Sequence, residues 1–136
     1  MSISETPLAR ISVSDSMHTG ILMTDPDTPL RLVARLMSDR RVHVVAVAED
    51  GQLRRPLRMI STLDIAGAVA ACSAGELTAG QVGQTELRAV RAGDSIETAA
   101  RLMAEHQVEH LVVIDPASGH AEGIISALDV AAALGR

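Results

Sequence analysis

The chain contains no phenylalanine, tyrosine or tryptophan in its 136 residues. Its core must therefore be built from Val, Ile, Leu, Met and Ala, and any pocket for a planar base must use aliphatic walls. The aromatic platforms on which single-stranded nucleic acids stack are excluded. Lysine is absent as well, so all twelve basic side chains are arginine. Seven of them, Arg31, Arg35, Arg40, Arg41, Arg54, Arg55 and Arg58, fall in one stretch of the first half. A net charge of −5 opposes sequence-independent binding to nucleic acid. The arginine cluster is either a solvated surface or a local site for phosphate or carboxylate.

One cysteine, Cys72, cannot form an intrachain disulfide, and its small-residue setting AACSAG supplies no base to activate it. The opening MSISETPLAR lacks the basic flank and apolar run of a signal peptide. No apolar run approaches the roughly 20 residues that a membrane span requires. A reducing cytoplasm and no membrane partner are the expectation.

What the chain does have is repetition. MISTLDIAGAVA at 59–70 returns as IISALDVAAALG at 124–135, and ARLM at 34–37 returns at 100–103. Around ARLM the apolar positions Leu30, Val33, Ala34, Met37 and Ile96, Ala99, Ala100, Met103 follow a helical period. Thr28 and Asp94 stand before these helices as expected caps, and Pro29 also suits a first turn. A β-rich run follows each helix, VHVVAVAED at 42–50 and VEHLVVIDP at 108–116. Turn signals come next, Asp50-Gly51 and Pro116 to Gly119. A short aliphatic strand then leads into Ser-x-x-Asp, as LRMIS at 57–61 and GIIS at 123–126. The last helices are expected over Thr62–Ala70 and Ala127–Leu134, and the first strands at 21–24 and 87–90.

Each half thus reads β-α-β-β-α, a mixed α/β (α+β) class. One such unit would leave an apolar face open, so two are expected to pack with pseudo-twofold symmetry. The expected organisation is a tail at 1–10, repeat one at 11–71, a linker at 72–79 and repeat two at 80–136.

Catalytic signatures are missing. No G-x-S-x-G, Walker-type loop or G-x-G-x-x-G occurs. HQVEH at 106–110 places two histidines four apart, but the expected helix ends near Gln107 and a strand begins at Val108. The two rings then diverge, and no metal site is expected. Asp25 and Asp27 read as a turn around Pro26.

The paired motifs resemble the cystathionine β-synthase (CBS) domain in its tandem form. VSDSM and HTGILMTDPDTPL look like the lead-in, first strand and first helix of that family. RVHVVAVAEDG and QVEHLVVID look like its second strand, and GIISALDV like its third strand and last helix. The resemblance covers about Ile11 to Arg136. It implies a binding module and not an enzyme. The implied ligand is an adenine nucleotide or adenosyl compound (AMP, ADP, ATP or S-adenosylmethionine) held between the repeats. The implied partners are a second copy in a homodimer and an unidentified regulated protein. A ligand-free dimerisation scaffold is the alternative.

By that resemblance Ser126 and Asp129 act with Thr24, Asp27, His43 and Val44. A mirror site uses Ser61 and Asp64 with Val90, Asp94 and His110. The physics allows two roles. A carboxylate can accept two hydrogen bonds from a ribose cis-diol, and a helix N-terminus favours phosphate. Equally, Ser-x-x-Asp at a strand-to-helix junction can be a helix cap and nothing more. His43 and His110 fall beside positions where the family places basic residues near phosphate. Arg58 stands where repeat two has Gly123, either blocking the mirror site or contacting phosphate, and Glu109 would repel phosphate. The Ser126/Asp129 site is therefore preferred.

Overall fold

Leu30, Val33 and Met37 form the buried stripe of helix α1 (Leu30–Arg40), and Ile96, Ala99 and Met103 that of α4 (Ile96–His106). The structure is a computed structural model and describes residues 7–48, 58–71, 76–83, 85–86 and 88–136. Cys72, Arg54, Arg55 and the Asp50-Gly51 turn lie outside the described residues.

Neither expected cap serves. Ser95 caps α4, its hydroxyl accepting the Thr98 amide at 3.1 Å. Asp94 instead accepts the Arg91 amide at 3.0 Å and closes the preceding turn. At α1 the N-cap position is Pro29, with no side-chain cap, and the Thr28 carbonyl accepts the Ala79 amide at 2.8 Å. Both helices end on a non-glycine residue in the left-handed region, Arg41 at φ 54 and Gln107 at φ 53. That conformation turns the chain so that Val42 and Val108 donate back to Met37 and Met103, each at 3.0 Å.

The apolar runs after these helices become strands β3 (Val44–Val47) and β7 (His110–Ile114). Their consecutive buried residues mark strands covered on both faces. Each lies between a parallel strand, β2 (Met23–Thr24) or β6 (Ala89–Arg91), and an antiparallel one, β4 (Arg58–Ser61) or β8 (Ala121–Ser126). Helices α2 (Thr62–Ala70) and α5 (Ala127–Leu134) follow. The order β-α-β-β-α therefore occurs twice.

Besides the 3-10 turns Pro7–Ala9 and Val13–Asp15, three elements of the described residues were not legible in the repeat pattern. They are β1 (His18–Thr19), the short helix α3 (Ala79–Val82) and β5 (Thr85–Glu86). Strand β1 pairs with β8 and strand β5 with β4, giving sheet orders β1-β8-β7-β6 and β2-β3-β4-β5. The chain divides into two compact units, Met1–Gly20 with Arg88–Arg136, and Ile21–Leu87.

The lead-in segments make the same contacts in both units. The first amide of α4, on Ile96, donates to Ile11 at 2.9 Å, and Val13 donates to Asp94 at 2.7 Å. The first amide of α1, on Leu30, donates to Leu77 at 2.8 Å, and Ala79 donates to Thr28 at 2.8 Å. The side chains of Val13 and Ala79 are each fully buried. They complete matching cores, Leu30, Val33, Met37, Val45, Val47 and Ile60 in one unit and Ile96, Ala99, Met103, Leu111, Val113 and Ile125 in the other.

The turn between β7 and β8 is organised by Asp115, whose carboxylate accepts from the Ala117 amide and the Ser118 hydroxyl. Those bonds hold its carboxyl below the usual aspartate range. Gly123 in β8 has a different task. The β1 backbone passes so close that a Cβ there would collide with the His18 carbonyl. Gly67 in α2 meets nothing within 4 Å. The two glycines should therefore respond oppositely to alanine. Gly123→Ala is expected to cost about 2 kcal/mol, and Gly67→Ala to add roughly 0.5–1 kcal/mol. Melting followed by far-ultraviolet circular dichroism checks both signs.

Candidate functional site

Both Ser-x-x-Asp motifs sit where a strand passes into a helix, and both are capping boxes. Ser61 Oγ accepts the Asp64 amide at 3.2 Å while Asp64 Oδ2 accepts the Ser61 amide at 2.8 Å. Ser126 and Asp129 repeat this at 3.1 and 2.8 Å, and the Ser126 hydroxyl also donates to Asp129 Oδ2 at 3.0 Å. Each box satisfies two backbone amides that the helix start leaves open, and the carboxylate faces the positive end of the helix dipole. The cap role is thus realised in both copies.

Capping engages one oxygen of Asp129 and leaves Oδ1. That oxygen accepts from His18 Nε2 at 3.0 Å. Asp129 is 12% exposed and His18 76% exposed, so the bond lies at the water's edge. Such a contact is worth at most about 1 kcal/mol and is readily exchanged. Oδ1 is therefore an acceptor whose present partner can be replaced at small cost. His18 was not anticipated as a site residue. It lies 111 positions from Asp129, and no local pattern links the two.

Each helix start is tied to the residue before the central strand of its own unit. Thr62 donates to the His43 carbonyl at 3.1 Å, and Ala127 to the Glu109 carbonyl at 2.8 Å. Val44 lies opposite Ser61, and His110 opposite Ser126. The structure therefore gathers His43, Val44, Ser61 and Asp64 in one unit and His110, Ser126, Asp129 and His18 in the other. His106 closes α4 while His110 opens β7, which puts the two imidazoles on different elements.

The remaining expected residues are placed as follows. Thr24 ends β2 and is half-buried, and Asp27 is exposed in the turn before α1. Arg58 opens β4 and lies opposite Glu86 of β5 in the strand register. Val90 is only 3% exposed and packs in the core. Asp94 is committed to its turn. Thr24, Asp27, His43, Val44, Arg58, Ser61 and Asp64 belong to the unit Ile21–Leu87, and the others to the second unit.

A groove of about 360 Å³ opens in the Ile21–Leu87 unit between α1, the start of β3 and α2. Its floor includes Ala34, Met37 and Ile65, and its rim carries Ser38, Arg41, His43 and Thr62. Among the described residues no helix is long and apolar enough to cross a membrane.

Comparison with known proteins fits this architecture. The CBS domain model matches residues 12–71 and again 79–136. The CBS domain-containing protein YhcV of Bacillus subtilis (strain 168) is 31% identical over 121 residues, covering 88% of this chain and 83% of that protein. Among solved structures, a CBS domain protein from Pyrobaculum aerophilum complexed with AMP superposes with a TM-score of 0.79 at 23% identity, over 92% of this chain and 98% of that one. The CBS domain pair of protein MJ0100, in complex with 5-methylthioadenosine and S-adenosyl-L-methionine, gives 0.80 at 14% identity, over 91% and 95%. With two consecutive matches spanning nearly its whole length, the chain belongs to the CBS domain family and carries the domain as a tandem pair.

Proposed function

We propose that this CBS pair is a regulatory sensor of an adenine nucleotide or adenosyl ligand, and that it passes binding on to a protein partner. It is not an enzyme in this reading, and it works in a reducing compartment. The observation that carries the proposal is the division of labour at Asp129. One carboxylate oxygen is locked into the cap, and the other is presented at the surface with only an exchangeable bond to His18. A ribose hydroxyl can take the place of that imidazole. The AMP-bound relative and the relative bound to 5-methylthioadenosine and S-adenosyl-L-methionine support this ligand class. Ser126 and Asp129 would carry the preferred site, and Ser61 and Asp64 its mirror.

Sensing requires a ligand to favour one arrangement over another, because an equilibrium shifts only by differential affinity. A homodimer is the natural element to bias. Leu63 on α2 is 78% exposed and its counterpart Leu128 on α5 is 72% exposed; Val69 and Leu134 are 61% and 69% exposed. Such repeated apolar exposure marks a protein-binding face. The scaffold reading keeps this face and omits the nucleotide. It is favoured by one observation, that capping alone accounts for Ser126 and Asp129.

The first test uses the missing aromatics. Without Trp or Tyr the protein barely absorbs in the nucleotide band, so gently purified material carrying bound nucleotide should show a band that passes a filter after denaturation. Calorimetry with AMP is the second test. Asp129→Asn keeps the cap geometry and removes the charge, and should weaken AMP binding about tenfold or more. His18→Ala frees Oδ1 and should strengthen binding severalfold. Unchanged affinity in Asp129→Asn would remove the ribose assignment.

A further inference from the structure

The imidazole on the outer oxygen of Asp129 is put there by backbone. Met17 donates to the Val13 carbonyl at 2.9 Å and Gly20 to the Glu122 carbonyl at 2.8 Å, so β1 is held at both ends. Between them His18 lies opposite Ile124 and Thr19 opposite Gly123, where the missing side chain lets the strand approach. His18 Nε2 then meets Asp129 Oδ1 at 3.0 Å, while Oδ2 takes the Ser126 amide and hydroxyl. A ring delivered by the register of a sheet stays beside its carboxylate. It is a resident competitor for any hydroxyl that seeks Oδ1.

Histidine changes charge within the physiological range. Protonated, the ring gives the carboxylate a charge-assisted hydrogen bond, roughly twice as strong as a neutral one. Neutral, it gives an ordinary bond from one tautomer and none from the other. A ribose hydroxyl stays neutral throughout, so acid strengthens the competitor alone. The other charged and titratable groups around His18 are Asp15 in the turn before β1, Glu122 on β8, and Glu109 and His110 at the start of β7. Among the described residues the ion pair of His18 is with Asp129 and with none of these.

The other repeat differs at this place. Ile124 and Met59 each stand two residues before the motif serine, and the residue opposite Met59 is Thr85. Threonine does not titrate, so the Ser61/Asp64 motif has no proton-responsive residue at the register position of His18.

We propose that His18 is a proton-operated gate on Asp129, holding Oδ1 against the ligand as an imidazolium and yielding it as a neutral ring. The gate rests on the ribose reading of Asp129 above and adds its regulation. Acidification closes the Ser126/Asp129 site, and a rise in pH opens it.

The test is calorimetric titration of the full chain and of His18→Gln with AMP and with S-adenosyl-L-methionine, at several values between about pH 5 and 8. Glutamine keeps an amide donor and has no variable charge. The ligands' own groups and the other histidines titrate in both proteins, so the ratio of the two dissociation constants isolates His18. At the acid end wild type should bind about three- to fivefold more weakly than His18→Gln, as an exposed ion pair allows. The ratio should fall towards one at the alkaline end. Unchanged melting of the variant at each pH confirms the fold. A ratio that stays flat overturns the gate and leaves the nucleotide reading standing. A variant that binds more weakly than wild type in acid also overturns the gate, because His18 is then a ligand contact. Failure of both proteins to bind either ligand at any pH overturns the nucleotide reading and the gate with it.

Discussion

The structure depends on how the two long helices begin. An α-helix starts with backbone amides that have no partner within it. At α1 and α4 no side chain of the preceding turn reaches the first amide. A carbonyl from a lead-in segment does so instead, Leu77 for Leu30 and Ile11 for Ile96. The segment before each repeat therefore belongs structurally to the other one. It also adds a strand at the sheet edge, β1 beside β8 and β5 beside β4, and a buried side chain, Val13 or Ala79, to the core. The exchange links distant parts of the chain through backbone bonds, which tolerate sequence drift, and through a few small side chains, which do not.

That exchange also brings the functional reading to a single carboxylate. Strand β1 crosses Gly123 and delivers His18 to Asp129, 111 positions away. A capping aspartate is a common device for starting a helix. At Asp129 the oxygen beyond the cap meets an exposed imidazole. Capping thus uses one oxygen of Asp129 and leaves the other to the His18 contact.

The repeats diverged where packing does not constrain them. Core positions correspond almost residue for residue, Met37 with Met103, Val47 with Val113, Ile60 with Ile125. Surface positions do not, since Arg31, Arg41 and His43 are matched in the second repeat by Glu97, Gln107 and Glu109.

The sequence by itself determined the β-α-β-β-α order of each repeat, the apolar stripes of α1 and α4, and the placing of the two Ser-x-x-Asp motifs at strand-to-helix junctions. Each of these is a local pattern: a helical period, an aliphatic run, or a hydroxyl three residues before a carboxylate. It misplaced the caps of α1 and α4 because Thr28 and Asp94 look like cap residues, while Asp94 is used one turn earlier by Arg91 and the Thr28 carbonyl is taken by Ala79. It proposed Val90 as a contact without knowing that the side chain would be buried. Only the tertiary structure decided which segment covers which helix start, why Gly123 must be glycine, and which imidazole meets Asp129. These rest on contacts between residues scores of positions apart, for which no periodicity exists along the chain, and they are set by backbone approach once the sheets have formed.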